Sequence, residues 1–390
     1  MTSSSEFPDH DAWVARARAL GAELAATVVA RERAGTPPLA EIALLKERGF
    51  STLLIPREFG GAGARWLTAL AVVREICAAD GSLGVLLGYH LVSTANMRHA
   101  DRAREIVERK LWVAGLANSR DDDIAFVPTP DGHWRLNGRK TFCTGARFAD
   151  RIVAYGRSAD GQTFTAWLPA DRTGISFGED WDHLGLGRTE SGSFTLADVV
   201  AQAHEVGPVT VYDDSDFGAG LRTPLVHSMF ANFYVGFAQG ALRAARAYVQ
   251  TTTRPWHLSM AETAAQDPLV ISQFGELWIA LEAAIAFTDR AAGKVQALID
   301  AGPAHWTPAQ RGEAAIDVAA ARTHAIRTGL DVTTRIFDTT GARATANRHL
   351  FDRFWRDLRI HSLHDPIAYK VLEVGEYALN GRHPRVLPYT

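Results

Sequence analysis

The central part of the chain has a different hydrophobic pattern from the parts on either side of it. Between residues 112 and 206, short alternating runs are broken by Gly, Asp and Pro, which is typical of β-strands and turns. Asn137-Gly138 in this region favours a β-hairpin turn. Elsewhere apolar residues recur every three or four positions, as in helices. The sequence therefore predicts a mainly α protein with an N-terminal helical domain (1–111), an inserted antiparallel β domain (112–206) and a C-terminal helical bundle (207–390).

Proline and capping residues mark the helix boundaries in both helical domains. The first helical pattern is interrupted at Pro37-Pro38, and Thr307 with Gln310 forms a capping box before Pro308. We expect helices at 9–48 with this break, at 66–79, at 224–252, from 268 to about 300, and from 308 onward. The three C-terminal helices are each long enough to cross a domain, which predicts a bundle.

The stretch at 353–369, RFWRDLRIHSLHDPIAY, gathers ionisable and aromatic side chains. Asp365 as N-cap with Pro366 at the first helical position predicts a helix start, which would place His361 and His364 in a connection between two helices. Connections often carry function, and neutral histidine exchanges protons near physiological pH. Judged on residue type alone, an equal alternative is that both histidines are bonded to backbone carbonyls.

Composition narrows the class of partner. Lys and Arg number 41 against 44 Asp and Glu, a formal charge of −3, which disfavours nucleic acid or an acidic membrane surface as the main partner. The two cysteines, Cys77 and Cys143, are too few for a disulfide framework and lack metal-ligand spacing. With no signal-peptide pattern and no apolar run expected to span a bilayer, the sequence predicts a cytoplasmic protein.

Several motifs resemble those of the acyl-CoA dehydrogenase superfamily: IPREFGGAG, LNGRKTFCTGA and HLGLGRTESGSFTLADV. A closer resemblance is to the two-component flavin-dependent monooxygenases of this fold, the group of dibenzothiophene monooxygenase and related indole and aromatic hydroxylases. The motifs that carry it are LGYH, TFCTGA, TRPW, TGAR and FDRFWRDLRIHSLHDPIAYK. The similarity extends over nearly the whole chain and implies an acyl-CoA dehydrogenase-like fold.

Departures from the dehydrogenase pattern indicate a different reaction. Dehydrogenation of a thioester needs a carboxylate base, which the superfamily supplies as Glu, whereas His364-Asp365-Pro366 stands in the matching place here. Asp is one methylene shorter, and a capping role would aim the Asp365 carboxylate at backbone N–H groups. NFYVGFAQGAL, at the alternative position, also lacks Glu, and GLANSRDDD replaces the family's acidic segment. An acyl-CoA dehydrogenase or oxidase with an atypical base, and a flavin-binding or scaffold protein, remain alternatives.

The resemblance implies roles for residues around a reduced flavin. Reduced flavin and O₂ form a C4a-hydroperoxide, which decays to hydrogen peroxide unless water is excluded and its oxygens are hydrogen-bonded. Phe142 and Thr144 are expected at the isoalloxazine ring, with the Thr144 hydroxyl near N5 and C4a. His90 and His364 are expected to converge on the reacting face, with His361 nearby. The alternatives are a packed core histidine for His90 and an ordinary turn residue for Thr144.

The same resemblance places Arg254 in TRPW and Arg343 in TGAR at the flavin phosphate, although either could be a solvated surface residue. A flat apolar substrate would suit the aromatic residues expected near the site, most of which could equally be core: Tyr89, Phe142, Trp181, Phe230, Phe233, Trp256 and Trp278.

The sequence contains no complete G-x-G-x-x-G motif, since Gly185-Leu186-Gly187 lacks the third glycine and lies among strands. No nicotinamide site is therefore predicted, and reduced flavin (FMNH2 or FADH2) would come from a separate NAD(P)H:flavin reductase. The expected reaction inserts one atom of O₂ into a hydrophobic aromatic or heteroaromatic substrate, with hydroxylation and sulfur oxidation both open. The resemblance and the apolar C-terminal helices also imply a homotetramer.

Overall fold

The computed structural model describes residues 8–95, 99–115, 117–209 and 220–387. The N-terminal part is helical, as expected, with the interruption at Pro37-Pro38 and the helix at 66–79 both confirmed. Its helices are α1 (Pro8–Ala34), α2 (Leu39–Glu47), α3 (Trp66–Ala79), α4 (Gly81–Thr94) and α5 (Ala100–Arg109). Helix α4 is almost entirely buried, because its residues are apolar or small on every face.

The central part forms one curled sheet of eight strands: β1 (Val113–Ala114), β2 (Ile124–Pro128), β3 (Trp134–Lys140), β4 (Arg151–Arg157), β5 (Thr163–Pro169), β6 (Ile175–Phe177), β7 (Phe194–Ala201) and β8 (Val206–Pro208). The order is β6-β7-β3-β2-β4-β5-β8, with β1 paired to β4. The sheet is mostly antiparallel, but β1 and β2 both pair with β4 in parallel. Alternation in the sequence could not reveal this, because it is the same for either strand direction.

The predicted hairpin turn at Asn137-Gly138 is wrong. Both residues lie inside β3, where the pairing with β7 shifts register between Leu136 and Gly138. Gly138 has φ 148°, and a Cβ there would lie 2.8 Å from Ile124 Cδ1, so the glycine serves a bulge instead of a turn. The β2–β3 connection turns earlier, where the Gly132 N–H donates to the Thr129 carbonyl.

The C-terminal part is a helical bundle, as expected: α6 (Arg222–Thr251), α7 (Pro268–Ala301), α8 (Pro308–Thr340), α9 (Arg353–His361) and α10 (Ile367–Asn380). Helix α6 packs against α8, α3 and α7, so one apolar core is shared by both helical parts. The capping box of Thr307 and Gln310 is confirmed, and Asp267 caps α7 by accepting from the Leu269 N–H at 2.9 Å.

The predicted capping role of Asp365 is wrong. Helix α10 begins at Ile367 with Pro366 as N-cap and no side-chain cap, because the Asp365 carboxylate is bound by Arg322 of α8. His361 is the last residue of α9, and only His364 lies in the connection.

Helix α7 leaves a large apolar surface uncovered. Leu269, Ile271, Trp278 and Ile279 are all exposed, and 17% of its most apolar 18-residue window is buried. By length and composition alone it is the one helix of the described ranges able to cross a membrane, which corrects the expectation that no apolar run is long enough. One such helix is weak evidence for a membrane span. Exposed apolar patches also mark contacts with other proteins.

Candidate active site

A cavity of about 540 Å³ lies where the sheet connections meet the helices. Two of its walls are helical, and a third comes from three irregular segments, which lie before β2, after β3 and before β7. Helix α4 contributes Tyr89, α6 contributes His227 and Phe230, the end of α9 contributes His361, and the connection after α9 contributes His364. The irregular segments contribute Asn118, Ser119, Phe142, Thr144, Trp181, His183, Leu186 and Ser191.

A chain of hydroxyl groups ends at Thr144. Ser191 Oγ donates to Thr144 Oγ1 at 2.9 Å, and Thr189 Oγ1 lies 2.8 Å from Ser191 Oγ. Because Thr144 accepts from Ser191, its own hydroxyl proton remains to be donated to another group. Thr144 is buried and lines the cavity, so this donor is available to a bound molecule.

Three rings form an apolar shelf beside Thr144. Trp181 and His183 stack with centroids 4.0 Å apart, and the rings of Phe142 and Trp181 meet edge to face with centroids 6.0 Å apart. Phe142 has φ 54°, an uncommon conformation for a non-glycine residue, and its side chain is 50% exposed. This backbone conformation presents a large ring to the cavity instead of the core.

His361 is held between two tyrosines in the opposite wall. The Tyr234 hydroxyl lies 2.9 Å from His361 Nδ1, and the Tyr89 hydroxyl lies 3.3 Å from Nε2. Burial lowers the pKa of His361 well below its ordinary value, with the nearby His364 adding to the effect. His361 is therefore a neutral imidazole with both nitrogens in a tyrosine network.

His364 is oriented by a buried ion pair. Arg322 donates from Nη1 and Nη2 to both oxygens of Asp365, at 2.8 and 2.6 Å, and Asp365 Oδ1 lies 3.1 Å from His364 Nδ1. Although burial alone would raise the pKa of Asp365, its bonds to His364 and Arg322 keep that pKa well below the ordinary value. A carboxylate accepts but does not donate, so Nδ1 of His364 carries a proton toward Asp365.

His227 is a cavity residue that the sequence analysis missed. It is 3% exposed, and its ring lies 5.7 Å from Phe230, one helical turn further along α6. The signal was present, because residues three apart share a helix face and Phe230 was predicted at the site. Burial is the main cause that holds the pKa of His227 well below the ordinary value, and the positive charge of Arg322 is the second.

Asp357 connects α9 to the segment that carries the shelf. Its Oδ1 accepts from the Leu186 N–H at 2.7 Å. Burial is the main cause that raises the pKa of Asp357 to about 8, and the negative charge of the nearby Glu32 carboxylate is the second. Trp181 Nε1 in turn donates to the Leu186 carbonyl at 3.0 Å, so α9 fixes the position of one wall while its last residue forms part of another.

The expectation that His90 reaches the reacting face is not met. His90 is fully buried and stacks on Trp112, with centroids 4.4 Å apart. Nε2 lies 2.7 Å from the Ser51 carbonyl, and Nδ1 accepts from the Val113 N–H at 3.0 Å. Both ring nitrogens are thus used by the backbone, and burial lowers the pKa to about 4. His90 holds α4 against β1 and has the packed role that was the alternative.

The predicted residues that do not line the cavity of their own chain also include Arg254, Trp256, Trp278 and Arg343. Arg254 and Trp256 lie in the segment after α6, where Trp256 is 67% exposed and rests on His257. Arg343 is exposed in a short turn after α8. By contrast Tyr89, Trp181 and Phe230 all line it, and Phe233 packs behind Tyr89 in the core.

The apolar and polar groups that line the cavity fit the isoalloxazine ring of a flavin. An isoalloxazine has a flat apolar body and a polar edge, and the shelf of Phe142, Trp181 and His183 lies beside the hydroxyl of Thr144. Asn118 and Ser119 add further polar groups to the wall. A bound reduced flavin would supply oxygen activation, and these residues would bind it and exclude water.

The chain matches two family descriptions: "Acyl-CoA dehydrogenase, N-terminal domain" over residues 8–111 and "Acyl-CoA dehydrogenase, C-terminal domain" over residues 228–368. It is 39% identical to dibenzothiophene monooxygenase of Rhodococcus qingshengii over 95% of this chain and 94% of that protein. It is 37% identical to the probable FMNH2-dependent monooxygenase SfnC of Pseudomonas putida, over 95% of each chain.

A solved structure agrees with these relatives. TdsC of Paenibacillus sp. A11-2, in complex with FMN and indole, has a TM-score of 0.90 and 37% identity, over 97% of this chain and 100% of that chain. The match to the relatives covers both helical parts and the sheet between them. The chain therefore belongs to the flavin-dependent monooxygenases of the acyl-CoA dehydrogenase fold.

Proposed function

We propose that the protein inserts one oxygen atom from O₂ into a flat aromatic or heteroaromatic substrate, using reduced FMN delivered by a separate NAD(P)H:flavin reductase. The observation that carries this proposal is the pairing of an apolar shelf and a free hydroxyl donor on one wall with the oriented His364 on the other. Named relatives that are FMNH2-dependent or bind FMN favour FMN over FAD. The cytoplasm, where the free cysteines would stay reduced, is the proposed compartment.

In this proposal Phe142 and Thr144 contact the isoalloxazine ring, and His364 acts as a proton donor or acceptor at the reacting oxygen. His361 is held too tightly by two tyrosines to move freely, so we assign it to positioning the substrate side of the cavity. Tyr89, Trp181 and Phe230 provide the apolar surface for the substrate. A positioned acid or base typically contributes about 10² to 10⁴ in rate.

The state of Asp365 argues against acyl-CoA dehydrogenation. A general base needs a pKa near the working pH, and Asp365 is held by Arg322 with its pKa well below the ordinary carboxylate value. Its two oxygens are also occupied by a guanidinium, so it cannot reach a substrate carbon without breaking a buried ion pair.

We further propose a homotetramer assembled through the C-terminal bundle. The support is the uncovered apolar face of α7, which a second copy would bury. Arg254 and Arg343 do not line the cavity of their own chain, and in this assembly they would bind the flavin phosphate of a neighbouring copy. Light scattering that found a stable monomer at micromolar concentration would exclude this arrangement.

The activity is tested with purified protein, FMN, NADH, a flavin reductase and O₂, with indole and dibenzothiophene as trial substrates. We expect an oxygenated product that depends on both reductase and substrate, together with less hydrogen peroxide than the reductase produces alone. The alternatives are tested in parallel by acyl-CoA oxidation with a dye acceptor. Acyl-CoA oxidation without oxygenated product would favour the dehydrogenase, and flavin binding without either reaction would favour a non-enzymatic role.

A further inference from the structure

His227 is a buried polar side chain in the wall of the cavity, close to His364 and Asp365. It is 3% exposed, and neither of its ring nitrogens makes a hydrogen bond to another described residue. The Oδ1 atom of Asp365 lies 3.8 Å from His227 Nε2, beyond hydrogen-bond distance. Leaving a buried polar group without a partner is costly, so such a group in a binding cavity indicates a ligand that satisfies it.

The surroundings of His227 fix which nitrogen is free to accept. The pKa of His227 lies well below its ordinary value because of burial and the charge of Arg322, so the ring is neutral at pH 7 and carries one proton. Nε2 faces the anionic Asp365, and a lone pair pointing at a carboxylate would be repelled. The proton therefore lies on Nε2, and Nδ1 keeps its lone pair as an acceptor.

We propose that His227 Nδ1 accepts a hydrogen bond from the substrate, and that the enzyme selects flat heteroaromatic molecules that carry a ring N–H or O–H group. This inference rests on the proposed aromatic substrate and adds the polar group by which that substrate is recognised. Phe230, on the same face of α6, supplies the apolar contact beside His227.

The apolar lining alone would give little selectivity between such molecules. An apolar pocket discriminates weakly between rings of the same size, whereas a pocket with a buried polar group rejects an analogue that leaves the group unpaired. Indole is therefore compared with 1-methylindole and benzothiophene. These two molecules have a similar shape but carry no ring N–H group.

The experiment measures dissociation constants of indole, 1-methylindole and benzothiophene by calorimetric titration, in the presence and absence of oxidised FMN. The variants are His227→Leu, which removes the acceptor, and His227→Asn, which keeps an acceptor oxygen near the position of Nδ1. We expect wild type to bind indole about tenfold more tightly than 1-methylindole, in line with one buried hydrogen bond. His227→Leu should remove this preference and His227→Asn should restore part of it, with melting temperatures confirming that each variant is folded.

Equal binding of indole and 1-methylindole by wild type would overturn the proposal, as would an unchanged preference in His227→Leu. A metal ion is the competing occupant, because ligand atoms of His227, His364 and Asp365 lie within 4.8 Å of one another. Zn²⁺ binding that is lost in His227→Leu and that excludes indole would also overturn it. Since these are binding measurements, they can succeed even if no oxygenated product is found, which separates this inference from the proposed reaction.

Discussion

Both oxygens of the Asp365 carboxylate accept hydrogen bonds from the guanidinium of Arg322, a residue 43 positions earlier in the chain. The pair lies beneath His364 and joins the end of the cavity to the middle of α8. One buried contact thus connects the stability of the bundle to the orientation of a residue in the candidate site.

Replacing Arg322 by Met should destabilise the protein strongly. The substitution leaves the Asp365 carboxylate buried without its cation, and breaking a buried pair in this way costs about 3 to 5 kcal/mol. Urea unfolding of both proteins measures the difference. Arg335→Met on the same helix is the matched control, because its ion pairs with Glu276 and Asp331 are exposed. Equal losses in the two variants would contradict a special role for the Arg322 pair.

Replacing His364 by Phe should uncouple flavin oxidation from product formation. We expect product to fall by about 10² to 10⁴ and hydrogen peroxide to rise, while FMN binding stays close to wild type. Product, peroxide and FMN affinity are measured under one reductase supply. His204→Phe, an exposed histidine outside the cavity, is the control. If His364→Phe keeps normal coupling, Thr144 becomes the main candidate at the reacting oxygen.

Replacing Thr144 by Val tests its hydroxyl at nearly constant volume. The change removes the donor to the flavin and the acceptor of the Ser191 hydrogen bond, so FMN affinity should fall by about tenfold, the effect of one hydrogen bond. Thr144→Ser keeps the hydroxyl and should bind FMN nearly as wild type does. Fluorescence titration of FMN against all three proteins gives the comparison, and equal affinities would remove the hydroxyl from flavin binding.

Stability should fall as the pH decreases from about 6.5 to 4. An unfolded histidine binds a proton below about pH 6.5, whereas His90 in the folded protein has a pKa of about 4. The unfolded state therefore takes up more protons in this range, and one such group contributes about 1.4 kcal/mol per pH unit. Free energies of unfolding at pH 7, 6 and 5 should show a steeper slope for wild type than for His90→Asn. Parallel slopes would contradict the assignment of His90 as a neutral core residue.

Replacing Arg254 by Ala should weaken FMN binding by about tenfold or more, because a charge-assisted contact to phosphate is lost. The effect should require the assembled oligomer, since Arg254 does not line its own cavity. Arg33→Ala, an exposed arginine near the end of α1, is the control. An unchanged dissociation constant would exclude Arg254 from the phosphate site.

The sequence predicted the helices well because their signals are local. Thr307 with Gln310 and Asp267 with Pro268 mark helix starts through contacts within one turn. The parallel pairing of β2 with β4 and the ion pair of Asp365 with Arg322 depend on residues far apart in the chain, so no local pattern contains them. The Asp-Pro signal therefore marked a helix start at both places, but the predicted cap by the aspartate was right at 267 and wrong at 365.

The candidate site was predicted only in part for a related reason. Residue type and motif indicated Thr144 and His364, which do line the cavity, but they also indicated His90, whose two nitrogens are taken by backbone groups. His227 was missed although its position carried a signal, because it lies three residues before Phe230 on one face of α6 and Phe230 was predicted at the site.

The shelf rings and the helical wall of the cavity differ in how much of the protein packs against them. Trp181 and His183 lie in an irregular segment between β6 and β7, and His183 is exposed, whereas His227 and Phe230 belong to a buried helix shared by the whole core. Substitutions in such a segment disturb few packing contacts, while those in α6 endanger folding. Directed evolution of this enzyme toward larger or smaller rings should therefore accumulate its first changes at 181–183 and leave the helical wall intact.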